Sequence, residues 1–104
     1  MSAFAFLQKL PGALNTSVAA GMDCVFQFNT SKPAYLTIKD GGASLTEGSA
    51  ASPNVTITMA DDDLVGMMKG EINPMMAFMS GKLKVEGDLM LAQRMQTLFD
   101  AGKL

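Results

Sequence analysis

The chain has 104 residues, a length that fits one domain with one core. Of these residues 48% are hydrophobic and 17% are charged, a composition too apolar for intrinsic disorder. It contains no histidine and a single cysteine, Cys24, which excludes serine–histidine and cysteine–histidine catalysis, intrachain disulfides and the usual zinc sites. A net charge of −2 without a basic run argues against binding nucleic acid through its phosphates.

The two chain ends and the hydropathy predict a cytoplasmic protein. No basic residue precedes the N-terminal apolar stretch, so this stretch does not resemble a signal peptide, and no apolar run reaches the roughly 18 residues that a membrane span needs. An unpaired cysteine fits a reducing compartment. The C-terminal Gly102-Lys103-Leu104 differs in its first residue from the Ser-Lys-Leu peroxisomal signal, and we interpret it as a frayed tail.

The first segment of the chain predicts an amphipathic helix. Its apolar residues share one broad helical face, and they are Phe4, Phe6, Leu7 and Leu10. Ser2 is a candidate N-cap for this helix. Pro11-Gly12 is predicted to interrupt or bend it, and the small polar residues from 15 to 21 are predicted to form a connection.

A run of strands follows. Alternating or β-prone sequence predicts strands over residues 24–29, 34–39, 43–47 and 54–59. Asp40-Gly41-Gly42 predicts a hairpin between the second and third strands, because these residues tolerate positive φ. Leu45 is the single large apolar residue of the third strand, which is therefore predicted to lie at an edge of the sheet.

The period then becomes helical. Asp61-Asp62-Asp63 opens a helix that ends near Gly70, and Asn73-Pro74 opens a second, short helix through Met79. Residues 82–86 alternate as a strand, and Asp88 caps a final helix. The apolar stripe of this final helix consists of Leu91, Met95, Leu98 and Phe99. Strands followed by helices predict an α+β fold in which helices cover one face of a single sheet.

Methionine is the unusual feature of the composition, because eight of the ten methionines lie from residue 59 onward. Methionine fills irregular volume at low strain, so the cluster either fills the core or forms a wall that adapts to an apolar ligand. Met67-Met68 and Met75-Met76 are adjacent pairs, and neighbours on a helix point about 100° apart. Some of these side chains must therefore face another surface, a cavity or a partner.

The polar residues predict no catalytic site. Asp61-Asp62-Asp63 is better explained by N-capping and the helix dipole than by metal binding, and the other carboxylates are scattered. Cys24 alternates inward with two phenylalanines, which predicts an inert buried thiol. Lys82 and Lys84 are predicted to be solvated, with at most about 1 kcal/mol each available from an anionic membrane. We therefore predict no enzymatic activity, no catalytic residue, no metal and no cofactor.

Residues 70–88 contain an ordered set of short motifs. These are Gly70, Asn73-Pro74, Ala77-Phe78, Gly81-Lys82-Leu83-Lys84-Val85 and Gly87-Asp88. Together with residues 25–28, 35–41, 53–59 and 61–63, they resemble the sterol carrier protein family (type two), as a small stand-alone domain. Each motif alone is weak, but the ordered set covers nearly the whole chain.

The resemblance implies a five-stranded sheet with helices packed on one face and an apolar tunnel between the two layers. Members of the family bind sterols, fatty acids, acyl-coenzyme A thioesters or other lipids without chemistry of their own. They occur alone, fused to enzymes, or as bacterial factors that hold isoprenoid quinone precursors. Gly102 departs from the peroxisomal signal and favours a bacterial cytoplasmic form. Met90 stands where relatives commonly have a small residue and would narrow the tunnel, so the resemblance does not identify the bound lipid.

We therefore predict that residues 1–104 form one domain that binds an apolar lipid of fatty acyl, sterol-like or isoprenoid type, either only holding it or also transferring it. The alternative is an interaction or dimerisation module that docks onto a lipid-metabolising enzyme without holding a ligand. Expected partners are the lipid, a transient membrane contact and such an enzyme, with no nucleic acid, and the protein is expected as a monomer or homodimer.

Periodicity places the ligand between the inward face of the sheet and the helices. The predicted ligand-binding residues are Phe26, Phe28, Leu36, Ile38, Met68, Met75, Met76, Phe78, Met79, Leu91, Met95, Leu98 and Phe99. An empty cavity of about 400 Å³ would cost about 10 kcal/mol at about 24 cal/mol per Å³, comparable with a total stability of about 5–15 kcal/mol. A rigid empty tunnel is therefore not expected without ligand, and methionine and leucine side chains should fold inward.

Overall fold

The computed structural model describes residues 3–104, apart from the side chains of Gln96 and Ala101, so the predicted cap Ser2 lies outside the described residues. The helices and strands in chain order are α1 (Ala3–Leu7), α2 (Leu10–Ala13), α3 (Thr16–Ala19), β1 (Cys24–Asn29), β2 (Ala34–Lys39), β3 (Gly42–Glu47), β4 (Val55–Thr58), α4 (Asp61–Met68), α5 (Pro74–Met79), β5 (Lys84–Gly87) and α6 (Leu89–Leu98). A short 3₁₀ helix, Ala101–Lys103, follows α6.

The five strands form one sheet in the order β3-β2-β1-β4-β5. β1 lies at the centre and pairs antiparallel with β2 and parallel with β4, while β5 pairs antiparallel with β4. The predicted α+β fold with five strands is confirmed. The edge position of β3 and the hairpin before it are confirmed as well, with Asp40 at φ 54° and Gly41 at φ 77°.

The core lies between one face of the sheet and the helices. Strand alternation buries Leu36 and Ile38 fully, whereas Tyr35 and Thr37, which alternate with them along β2, are only half-buried. The other fully buried large side chains are Phe6, Leu7, Leu10, Phe26, Phe28, Val55, Ile57, Leu64 and Leu98. Four elements, α1, α2, α4 and α6, supply the helical half of this set, so they form the layer that covers the sheet.

The N-terminal region differs from the prediction in two places. The interruption of the helical region lies at Gln8 and Lys9, between α1 and α2, rather than at Pro11. Pro11 lies in the first turn of α2, where its missing N–H removes no hydrogen bond. Residues 16–19, predicted as a connection, form α3, and the Asn15 side chain accepts a hydrogen bond from the Ser17 amide at 3.2 Å. Helices of four residues are too short to show an apolar period, which is why the pattern missed them.

Gln27 is the buried polar side chain among the described residues, on the side of the sheet opposite Phe26 and Phe28. Its Nε2 donates to the carbonyls of Ala34 and Gly48 at 3.3 and 3.1 Å, and its Oε1 accepts from the Ala50 amide at 2.8 Å. The chain between β3 and β4 is thereby fixed against β1, and the Gly48 carbonyl and the Ala50 amide gain hydrogen-bond partners.

Asp61 joins three segments that are far apart in sequence. Its carboxylate accepts hydrogen bonds from the Ser31 amide at 2.8 Å, from the Ser31 hydroxyl, and from the Ala3 amide at 3.1 Å. The N-cap of α4 is Ala60, without a side-chain cap, so the predicted capping role of the aspartates is wrong. Three carboxylates in the first turn still match the helix dipole.

We expect Asp61→Asn to lower stability by about 1 kcal/mol at pH 7, because hydrogen bonds to a charged acceptor are the stronger ones. The two Ser31 hydrogen bonds and the Ala3 hydrogen bond hold the pKa of Asp61 below its usual value of 3.8. The contribution of the ionised Asp61 side chain to the free energy of unfolding is therefore complete above pH 3.8, and it is lost as the pH falls through the lower pKa of the folded state. Urea unfolding at pH 7, 5 and 3 should show the two proteins converging at the lowest pH. The exposed Asp62→Asn is the control, and an equal loss there would contradict the assignment.

Gly87 ends β5 with φ at 97°, and a Cβ at this position would lie 2.5 Å from the Asn54 carbonyl oxygen. Gly87→Ala is therefore expected to destabilise the fold by at least about 2 kcal/mol, through backbone strain and overpacking. Gly12→Ala is the matched control, since no atom lies within 4 Å of its Cβ position. The control should keep or gain stability, by up to about 1 kcal/mol. Equal urea midpoints for the two variants would refute this reading of Gly87.

Candidate functional site

An open groove of about 630 Å³ lies between α5, the first turns of α6 and the β4–β5 side of the sheet. It is lined by Ile57, Met67, Asn73, Pro74, Met75, Phe78, Leu83, Val85, Leu89, Ala92, Gln93 and Met95. The polar side chains in this set are the amides of Asn73 and Gln93, so the lining is apolar and carries no ionisable group.

The floor of the groove comes from β4, β5 and the buried faces of two helices. Ile57 and Val85 are direct partners across the β4–β5 pairing, and both point to the helical side of the sheet. Leu83, just before β5, is buried, and so are Met67 of α4 and Met95 of α6. The groove therefore has an apolar base that belongs to the hydrophobic core.

The start of β5 is displaced from the predicted position by α5. Residues 82–86 were predicted as the strand, but β5 begins at Lys84. The amides of Lys82 and Leu83 donate to the Ala77 carbonyl at 2.9 and 3.1 Å, so they are not available to pair with β4. This contact joins the end of α5 to the base of the groove.

The outer wall of the groove is α5, a helix of six residues. Asn73 caps it, with Oδ1 accepting from the Met75 and Met76 amides at 2.9 and 3.4 Å. Ala77 is the buried residue of the helix, whereas Met75 and Phe78 remain 69% and 56% exposed although they line the groove. A small side chain thus holds α5 against the core, and large ones stand along the open side.

The second wall is α6, which is hydrogen-bonded at both ends but buries its large side chains only in its C-terminal half. Asp88 caps its start, as predicted, with Oδ1 accepting from the Leu91 amide at 3.1 Å. At its C-terminal end, the Asn15 amide donates to the Leu98 carbonyl at 2.6 Å, and Phe99 forms a β-bridge with Leu14. Leu89, in the first turn, is 55% exposed and lines the groove. The helix is packed at its end and open at its start.

The structure divides the predicted ligand-binding residues into two groups. Those that line the groove are Met75, Phe78 and Met95. Those outside the lining are Phe26, Phe28, Leu36, Ile38, Met68, Leu98 and Phe99 in the core, half-buried Leu91, and exposed Met76 and Met79. Apolar periodicity identified inward faces, but it did not separate residues covered by another layer from residues left open.

Several lining residues were missed by the sequence analysis although their signals were present. Ile57, Leu83 and Val85 all belong to segments whose alternation was recognised. The alternation did not indicate over which strands the groove lies. It lies over β4 and β5 rather than over β1 and β2. Leu89 and Ala92 lie outside the recognised stripe of α6, and no sequence signal marked them.

The titratable side chains of the described residues bear on the sequence predictions about a metal site and about the reactivity of the thiol. Between residues 3 and 104 there is no group of three or more Cys, Asp or Glu side chains arranged to hold a metal ion. Cys24 is buried as predicted, and burial, followed by the nearby Asp23 charge, raises the pKa of its thiol. None of the described helices is long and apolar enough to cross a bilayer.

The sequence model of the SCP-2 sterol transfer family matches residues 6–100. The chain belongs to this family. Peroxisomal multifunctional enzyme A of Dictyostelium discoideum is 33% identical over 107 residues, covering 97% of this chain and 24% of that enzyme. Sterol carrier protein 2 of Bos taurus is 44% identical over 61 residues, covering 59% of this chain and 11% of that protein.

Solved structures of SCP-2 domains share the fold. Sterol carrier protein 2 like 2 from Aedes aegypti superposes with a TM-score of 0.72 at 22% identity, covering 91% of each chain. The sec-alkylsulfatase Pisa1 from Pseudomonas sp. superposes with a TM-score of 0.81 at 22% identity, covering 88% of this chain and 15% of that one. The chain thus spans a quarter or less of the larger proteins that it matches.

We expect Asn73→Ala to loosen α5 selectively, because it removes the N-cap that accepts two amide hydrogen bonds. Loss of such a cap costs about 1 kcal/mol. Hydrogen exchange should show reduced protection of the α5 amides, with α4 and α6 little changed. Asn15→Ala, which removes the cap of α3, is the matched control and should leave α5 protection intact. Unchanged α5 protection in Asn73→Ala would show that tertiary contacts alone hold the helix.

Proposed function

We propose that residues 1–104 form a lipid-binding domain that holds an apolar lipid, such as a fatty acyl chain, in the groove between α5, α6 and the β4–β5 side of the sheet. The observation that carries the proposal is the lining itself, which is apolar, contains no ionisable side chain and opens to solvent. Membership of the SCP-2 sterol transfer family supports it. So does sterol carrier protein 2 from Aedes aegypti, solved with the C16 fatty acid palmitate, which shares the fold with a TM-score of 0.67 at 17% identity.

The size and shape of the groove suit this ligand class. Ligand pockets commonly have volumes of about 300–1,000 Å³, and this groove has about 630 Å³. Burying a methylene group is worth about 0.8 kcal/mol before the costs of association. Water fills an open groove in the absence of ligand, so the penalty of an empty cavity does not arise. Binding a chain of several methylenes is therefore favourable without a charged anchor.

The predicted internal tunnel would be an inward extension of the groove. Met67 and Met95 are buried, line the groove and belong to the core cluster, so their side chains separate groove from core. Rotamer changes of these flexible thioethers would admit a longer chain toward Phe26 and Phe28. In this proposal Met75, Phe78 and Met95 contact the ligand first, and the core residues predicted from periodicity contact it only in the extended state.

A second candidate function rests on the exposed apolar side chains that lie outside the groove. Met76, Met79 and Met90 are 69%, 80% and 76% exposed, and they continue the apolar surface of the groove walls. This surface suits docking onto a lipid-metabolising enzyme, a membrane or a second copy of the chain. The relative in Dictyostelium discoideum, of which this chain spans 24%, is a multifunctional enzyme, and it supports an enzyme partner. Cytoplasmic location stays a prediction from the sequence.

Palmitate titration of a paired set of variants tests the lipid-binding proposal. Phe78→Gln puts a polar side chain in the groove wall at a position that is already 56% exposed, so binding should weaken about tenfold with little change in folding. Met79→Gln, 80% exposed on the same helix but outside the lining, should bind as the unchanged protein does. Displacement of a fluorescent fatty acid gives the affinities, and urea unfolding gives the stabilities.

Native mass spectrometry of gently purified protein, followed by extraction, identifies any bound lipid and its stoichiometry. Saturating palmitate at 100 times its Kd should raise stability by about 2.7 kcal/mol. A protein that is empty as purified, and gains no stability from acyl, sterol-like or isoprenoid lipids, is not a carrier. Light scattering then tests docking onto a second copy of the chain. A doubled mass that falls to the monomer mass in Met79→Gln would indicate self-association through α5.

A further inference from the structure

Eight of the methionines among the described residues fall into two classes by exposure, and Met22 is half-buried. The exposed ones are Met75, Met76, Met79 and Met90, whose side chains are 69%, 69%, 80% and 76% exposed. The buried ones are Met59, Met67, Met68 and Met95, at 8% exposure or less. Every exposed methionine among the described residues lies on α5 or in the first turn of α6. These elements are the two walls of the groove.

Exposure decides which thioethers react with peroxide. A lone pair on the methionine sulfur attacks one oxygen of hydrogen peroxide, the O–O bond breaks, and the other oxygen leaves as water after proton transfer. The sulfur is oxidised by two electrons to a sulfoxide, and the peroxide is reduced. Side chains that water already reaches react first, so among the described methionines those of the groove walls are expected to oxidise before the buried ones.

Met75 differs from the other exposed methionines because it also lines the groove. A sulfoxide at this position keeps its water while the groove is empty. An apolar chain lying against it would displace that water, and a polar oxygen that loses its water without a replacement partner opposes binding. Met90 and Met79 lie outside the lining, so their sulfoxides keep their hydration in both states.

We propose that Met75 is an oxidation site that controls the affinity of the groove. Hydrogen peroxide converts it to the sulfoxide before the buried methionines react, and this lowers the affinity for an apolar chain about tenfold, which corresponds to about 1.4 kcal/mol. The affinity part rests on the proposed lipid-binding function, whereas the order of oxidation does not. A methionine sulfoxide reductase supplied with a dithiol reverses the change, since the dithiol is oxidised to a disulfide and the sulfoxide oxygen leaves as water.

The test uses the full chain and hydrogen peroxide. Peptide mass spectrometry at timed intervals should show Met75, Met76, Met79 and Met90 oxidising at least tenfold faster than Met59, Met67, Met68 and Met95. Palmitate at saturation should slow the oxidation of Met75 and leave that of Met90 unchanged. Equal rates for the exposed and buried sets would overturn the proposal.

Two variants assign the change in affinity. Met75→Leu removes the sulfur and keeps an apolar side chain of similar volume. The affinity of this variant for palmitate should therefore be the same before and after peroxide treatment. Met90→Leu, equally exposed but outside the lining, should lose affinity on oxidation as the unchanged protein does. Circular dichroism of each oxidised sample confirms that it remains folded, and reductase treatment should restore binding.

The outcomes separate the two proposals. If the unoxidised protein binds palmitate and the oxidised protein binds it equally well, the role of Met75 is refuted and the lipid-binding function stands. A loss of affinity in oxidised Met75→Leu as large as in the unchanged protein would also refute it, because the effect would then come from other methionines. If the unoxidised protein binds none of the lipids, the lipid-binding function and the control of affinity by Met75 are both refuted.

Discussion

β1 pairs with β4 in parallel although the chain reaches β4 from the edge strand β3, so the connection between them has to cross the sheet. The backbone groups of such a crossing need partners. Gln27 supplies them through its contacts with Gly48 and Ala50, and Asn54 continues the crossing through two hydrogen bonds with the Val25 backbone. Only with this crossing in place do β4 and β5 extend the sheet beyond β1 and provide Ile57 and Val85 as the base of the groove.

The groove results from unequal anchoring of the helices. α1 and α4 bury large side chains, and Asp61 ties both of them to the β1–β2 turn. α5 has only Ala77 to bury, and α6 is held at its C-terminal end by Leu98 and Phe99. Space is therefore left between α5 and the start of α6. Adjacent exposed apolar side chains of this kind are typical of binding surfaces, because stability alone gives no reason to leave them in water.

Methionine gives the groove two properties at once. The unbranched thioether adapts to the shape of an apolar partner, which suits the wall of an open apolar groove. The same sulfur reacts with peroxide when water reaches it. Met67 and Met95 combine the first property with burial, whereas Met75 combines it with exposure. The position of a methionine in this fold therefore decides whether it is only an adaptable filler or also a reactive group.

The sequence by itself determined the local elements and the family. Alternation at residues 24–29 and 34–39, the caps Asn73 and Asp88, and the motif order of residues 70–88 depend on near neighbours, so they are readable without tertiary contacts. The helices α2 and α3 were not readable, because four residues carry no period. Only the tertiary structure decided which apolar residues form the groove. Leu36 and Phe78 are both apolar residues in segments with a periodic pattern. The helical layer covers Leu36 but leaves Phe78 open to solvent, and that difference depends on how closely the helices pack along the sheet.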